Sequence, residues 1–95
     1  MRIRVSDQVA AFVKGLAPEP RRKLRLAMKE LAKGRGDIKV LDGALASYSR
    51  LWVAEYRVIF FPRSIGEIEC IYAEKRSIVY EVFAAALHEA FAKSK

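Results

Sequence analysis

The chain has 95 residues, 53% of them hydrophobic and 31% charged, and its 18 Lys and Arg outweigh 11 Asp and Glu for a net charge of +7. A chain of this length fits one domain, near the lower size at which a core holds without disulfides or metals, so residues 1–95 are read as a single domain. The apolar content excludes a disordered tail, and with no run of about 18 apolar residues a membrane-spanning helix is excluded as well.

The start Met1-Arg2-Ile3-Arg4-Val5 lacks the apolar stretch of a secretory signal, so a cytoplasmic protein is expected. The excess of positive charge points to a polyanion or an acidic protein as partner. Residues 2–5 alternate and predict a short first strand, after which Ser6 is placed to cap a helix carrying Val9, Phe12, Val13 and Leu16 at i, i+3, i+4, i+7. Gly15 and Ala17-Pro18 limit that helix. Pro20 suits the first turn of a second helix, where its missing N–H has no partner to lose. Leu24, Ala27, Met28 and Leu31 line one face of this helix, and Gly34 or Gly36 ends it. Arg22, Arg25, Lys29 and Lys33 fall broadly opposite that stripe, as either a solvated face or a nucleic-acid contact.

Residues 37–45 read as a turn-rich connector around Asp42-Gly43. Strands are expected over 47–53, 56–61 and 67–73, joined by the hairpin-length segments Ala54-Glu55 and 62–66, which predicts an antiparallel meander with Pro62 at a strand end. Ser77 is a candidate cap for a last helix along which Tyr80, Phe83, Ala84, Leu87 and Phe91 share a face. The expected fold is therefore α+β in the order β-α-α-β-β-β-α, a helical hairpin packed on a small, mainly antiparallel sheet.

One histidine and one cysteine exclude a zinc cluster, and no glycine-rich phosphate loop is present; no metal or cofactor is expected. Cys70 sits in an alternating segment and reads as a small apolar strand residue, and His88, late in the last helix, as surface or capping. The chemistry on offer is cationic. Within a strand alternate residues share a face, so Arg50 goes with Trp52, and Arg57 with Ile59 and Phe61. A guanidinium on an apolar face is costly unless it is paired or serves a site; Arg57 is read either as a phosphate-binding group or as a structural partner of Glu55, Glu67 or Glu69. Lys75 and Arg76 stand where the last strand meets a helix, a place suited to a phosphate or merely to a solvated turn. Tyr80 is a core tyrosine or a site phenol, and Glu55 a turn residue or a proton acceptor.

Taken together, the two N-terminal helices, LDGALASYSRLWVAEYRVIFF (residues 41–61) and YAEKRSIVYE (residues 72–81) resemble the RelE/ParE superfamily of bacterial type II toxins over nearly the whole chain. The resemblance rests on a leucine-glycine turn, a basic strand, a Tyr-Arg strand, and a strand-end basic pair followed by a tyrosine. It implies a toxin neutralised by a cognate acidic antitoxin. In RelE-type members the activity is cleavage of mRNA in the ribosomal A site; in ParE-type members it is inhibition of DNA gyrase without cleavage. By this resemblance Arg57, Arg50, Arg76 and Tyr80 fall on the family's site positions, and Trp52 becomes a candidate for stacking on a base. The basic strand carries Tyr48 and Arg50 where the RelE prototype has two lysines, so a general base would come from Lys75, Tyr80 or Glu55. A basic nucleic-acid-binding module without toxicity is a third reading, one that predicts salt-dependent binding to free duplex.

Overall fold

The computed structural model describes residues 1–75 and residue 85. Its elements are β1 (Arg2–Val5), α1 (Asp7–Lys14), α2 (Pro18–Leu31), β2 (Asp37–Val40), a single 3-10 turn (Gly43–Leu45), β3 (Ser49–Val53), β4 (Tyr56–Ser64) and β5 (Glu67–Lys75). The five strands form one sheet in the order β1-β5-β4-β3-β2, with β1 parallel to β5 and every other pair antiparallel. The last helix expected from the sequence, with Ser77, Tyr80 and His88, lies outside the described residues.

Both described helices follow their apolar spacing. Ser6 is the N-cap of α1: its hydroxyl accepts from the Val9 N–H at 3.2 Å and donates to the Ile71 carbonyl at 2.9 Å, so one side chain starts the helix and ties it to β5. Two residues on, the Gln8 amide donates to the Ala73 carbonyl at 2.7 Å and accepts from the Ala73 N–H at 2.8 Å. The β1–β5 ladder ends at Val5 and Cys70, and Gln8 satisfies the next stretch of β5 backbone as a further strand residue would. In α2, Pro18 and Pro20 both fall in the first turn, where neither N–H would have an intrahelical partner. The helix closes through Gly34 at φ 75°, with N–H groups of Gly34 and Arg35 bonded back to the carbonyls of Leu31 and Glu30.

Val9, Val13, Leu24 and Leu31 from the helices pack on Leu51, Tyr56, Val58, Phe60, Cys70 and Ala73 from one face of the sheet. Each large apolar side chain buried there contributes about 1.5–3 kcal/mol. The other face carries a smaller cluster in which Ile59 packs with Leu41, Leu45, Tyr48, Ile71 and Tyr72. Both Ile71 and Tyr72 reach this face because β5 is bulged: Ile59 pairs with Tyr72, but Phe60 already pairs with Cys70.

Two expectations are corrected. The connector predicted over residues 37–45 contains β2, whose Asp37-Ile38-Lys39-Val40 alternation pairs with β3 from Trp52 back to Ser49, so the antiparallel part has four strands rather than three. The connection predicted over 62–66 is in fact strand through Ser64, with Ile65-Gly66 as the turn. Pro62 is tolerated inside β4 because β3 stops pairing at Phe60, leaving Pro62 only β5 beside it.

Candidate phosphate-binding cleft

The sheet face turned away from α1 and α2 displays two successive rows of side chains across four strands. The strand registers align Asp37, Trp52, Arg57 and Glu74 in one row, and Lys39, Arg50, Ile59 and Tyr72 in the next. The two-residue turn at Ala54-Glu55 sets the central pairing, because it makes Val53 face Tyr56 and hence Trp52 face Arg57. That turn holds Ala54 at φ 55°, a conformation L-residues adopt at a cost.

Arg50 and Arg57 are both buried, at 7% and 6% exposure. Arg50 donates through Nη1 to the Asp37 carbonyl at 3.0 Å and to its Oδ1 at 3.2 Å. Its guanidinium carbon lies 3.7 Å from the centre of the Trp52 ring, and that of Arg57 lies 3.4 Å from the same point. Two guanidiniums so close to one ring face would overlap, so they occupy opposite faces and the indole is sandwiched between them. Cations separated by an aromatic ring repel by about 2 kcal/mol at an effective dielectric near 20, and two cation–π contacts of about 0.5–2 kcal/mol each offset that. The three side chains border a cavity of about 330 Å³ completed by Lys39, Val40, Leu41 and Asp42, at the small end of ligand-sized pockets.

The structure thus brings Arg50, Trp52 and Arg57 together as the sequence suggested, and adds Lys39, which became visible only once β2 existed. Of the carboxylates suggested as structural partners of Arg57, Glu67 and Glu69 both meet Arg63, and Glu67 also meets Arg4. Glu55 stands in the turn on the helix side, lining a separate cavity with Glu19, Lys23 and Tyr56. There its carboxylate, second to burial itself, helps push the Tyr56 phenol above its ordinary range. Lys75 pairs with Tyr56 and therefore shares the helix-side face, while its neighbour Glu74 shares that of Arg57. Neither Lys75 nor Glu55 reaches the cleft as a base. Arg76 and Tyr80 lie outside the described residues.

Trp52 offers no open ring face, so its expected stacking on a base is not what the geometry provides. Tyr72, missed in the sequence, sits in the row of Arg50; burial, and then the charge of Glu74, push its phenol above the ordinary range. Its signal was the parity of β5, hidden by the bulge. Arg22, Arg25 and Lys29 are exposed on α2 and Lys33 in the turn after it, and the first three line a shallow groove with Arg21 and Leu26. Because α2 covers the opposite face of the sheet, this basic surface is separate from the cleft. Cys70 is fully buried, and that burial, with the nearby charge of Glu69, pushes its thiol up to about 12, so it is a core residue rather than a nucleophile.

No protein-family model and no curated protein sequence matches the chain. Solved structures do. The chain matches a structure of the RelB-RelE antitoxin-toxin complex from Methanococcus jannaschii with a TM-score of 0.66 at 19% identity, covering 84% of this chain and 98% of that one. It also matches the solution structure of the conserved hypothetical protein HP0894 from Helicobacter pylori, at a TM-score of 0.56 and 9% identity over 81% of this chain and 96% of that one. The chain has a RelE-like fold, α+β with two described helices and a five-stranded, mostly antiparallel sheet. No described helix is long and apolar enough to cross a membrane.

Proposed function

We propose that the chain is the toxin of a type II toxin–antitoxin pair and acts in the cytoplasm as a ribosome-dependent endoribonuclease on mRNA. The observation that carries this reading is the pair of buried arginines, Arg50 and Arg57, fixed around Trp52 beside a cavity on the side of a RelE-like sheet that faces away from α1 and α2. Buried guanidiniums are preorganised donors for a phosphate whose charge grows in the transition state.

In this reaction the 2′-OH attacks its own 3′-phosphorus, the bond to the 5′-oxygen breaks, and a 2′,3′-cyclic phosphate and a 5′-hydroxyl result. Arg57 and Arg50 stabilise the pentacoordinate phosphate, and Arg76 joins them. The 2′-OH proton passes to Tyr80, a base candidate by the family resemblance. Tyr72 stands on the correct face to donate a proton to the leaving oxygen. No metal or cofactor is part of this scheme.

The M. jannaschii neighbour was solved with its antitoxin, and an acidic antitoxin is the proposed partner of this basic chain. The test is expression in a translation extract with mapping of RNA ends: cuts in phase with codons that need ribosomes support the reading. An Arg57→Ala protein that folds and yet inhibits growth as strongly as the parent overturns it. A ParE-like inhibitor of DNA gyrase is the second reading, favoured by the separate basic surface formed by Arg22, Arg25 and Lys29 of α2 and by Lys33 just after it. Inhibition of supercoiling without RNA cuts selects it, and salt-dependent duplex binding with neither effect selects a non-toxic nucleic-acid-binding module.

A further inference from the structure

We infer that Lys39 is a substrate-binding residue of the cleft: its ammonium takes a backbone phosphate of the RNA at the cavity edge, beside Arg50. This rests on the phosphodiester reading of the cleft given above. The pairing of β2 with β3 sets Lys39 directly opposite Arg50. Lys39 has the strand parity of Leu41, which packs with Ile59 on the face turned away from α1 and α2, so it stands on that same face.

Like charges directly opposite on adjacent strands destabilise a sheet, and the fold does not relieve this pair at Lys39. Asp37, two residues back on the same face, bonds to Arg50 instead, and among the described residues no salt bridge reaches Lys39. The cavity is bordered by the cations Lys39, Arg50 and Arg57 against the single carboxylate of Asp42, an excess of positive charge that suits an anion. Arg50 is held down, its side chain 8% exposed and its Nη1 committed to Asp37, whereas Lys39 is exposed. The flexible stem of a lysine lets its ammonium follow the phosphate as a mobile point charge. Such a contact forms alike in the ground state and the transition state, so it acts on KM rather than on kcat. β2 is the outer strand of the sheet, and edge strands often carry a lysine that discourages pairing with another chain. That use leaves RNA affinity untouched, so affinity separates the two roles.

The experiment uses the full chain and a fluorescein-labelled 2′-O-methyl RNA hexanucleotide, which has no 2′-OH to react, with anisotropy read at several salt concentrations. The parent should bind saturably. Lys39→Gln should bind about fivefold more weakly, and its plot of log affinity against log salt should be shallower by about 0.7, the share of one phosphate contact on a single strand. Lys39→Arg keeps the charge and should bind within about twofold of the parent. Lys14→Gln removes the same charge from α1, on the other side of the sheet, and should bind as the parent does. In ribosome-dependent cleavage, Lys39→Gln should raise KM about fivefold and leave kcat nearly unchanged.

Absence of binding by the parent overturns the proposal, and so does a Lys39→Gln affinity equal to the parent's or a loss matched by Lys14→Gln. If Lys39→Gln does not fold, the parent titration decides: the Lys39 Cε resonance should move with the midpoint of binding, and a resonance that stands still overturns the proposal. Binding that depends on Lys39 without any ribosome-dependent cleavage removes the nuclease reading and leaves the Lys39 contact. Cleavage whose KM is indifferent to Lys39→Gln removes the contact and leaves the nuclease.

Discussion

Arg50 and Asp37 join neighbouring strands through a bond between a buried cation and an exposed anion: the Arg50 side chain is 8% exposed and the Asp37 side chain 60%. The carboxylate both anchors the guanidinium and competes with any anion that enters the cleft. Asp37→Asn keeps an oxygen acceptor and the backbone carbonyl bond but removes the charge. It should cost under about 1 kcal/mol of stability, because the pair is open to solvent on one side. Affinity for the hexanucleotide should rise severalfold, and a titration that shows weaker binding would mean the carboxylate helps to shape the site rather than compete for it.

At Arg57 the shape of the cation matters as well as its charge. Arg57→Ala should lower the cleavage rate by about 10²–10³-fold, the usual consequence of losing one transition-state donor. Arg57→Lys should recover little of it, because an ammonium has no planar fork and cannot stack on Trp52. Single-turnover cleavage rates, measured with circular dichroism to confirm folding, check both variants.

Gln8 and Ser6 attach α1 to the bulged part of β5. Gln8→Ala leaves the N–H and C=O of Ala73 without their partners and should cost about 1–3 kcal/mol. Ser6→Ala removes the cap and the bond to Ile71, at about 1 kcal/mol for the cap alone. In a domain of this size each kcal/mol lowers Tm by about 4–8 °C, so thermal melts of the two variants measure these contributions.

Ala54 carries its positive φ in the turn that aligns Trp52 with Arg57. Glycine there relieves a backbone cost of about 1–2 kcal/mol and adds back about 0.5–1 kcal/mol in chain entropy. Ala54→Gly should therefore stabilise the protein by roughly 0.5–1 kcal/mol and leave cleavage unchanged. A lowered urea midpoint would show that the turn does not carry this strain.

Alkaline pH should destabilise the fold. The Cys70 thiol is raised from its ordinary 9.0 to about 12, so between those values the folded state retains a proton that the unfolded chain has lost. Stability is complete below about pH 9 and falls as pH rises toward 12. Tyr56 and Tyr72, also raised, act in the same direction. Cys70→Ala should flatten the decline in urea stability above pH 9, though it lowers the plateau by leaving a small cavity.

Much of the fold was legible because it is local. The 3.6-residue spacing of Val9 and Val13, and of Leu24 and Leu31, placed both helices on the core, and Ser6 marked the first start. Ala54-Glu55 marked the hairpin, and strand parity put Arg50 with Trp52. β2 was not legible: four residues among glycines carry little pattern, and Asp37–Val40 becomes a strand because β3 offers its backbone a partner. The bulge at Ile71 was likewise silent, and it decides that Glu74, not Lys75, shares the face of Arg57.

The order of side chains along each segment thus determined which residues share a helix stripe or a strand face, since those periodicities belong to the backbone itself. Which faces meet was decided only by tertiary pairing. Asp37, Arg50, Trp52 and Arg57 lie on three strands, and their assembly depends on registers set by hydrogen bonds between segments that no single stretch of sequence contains.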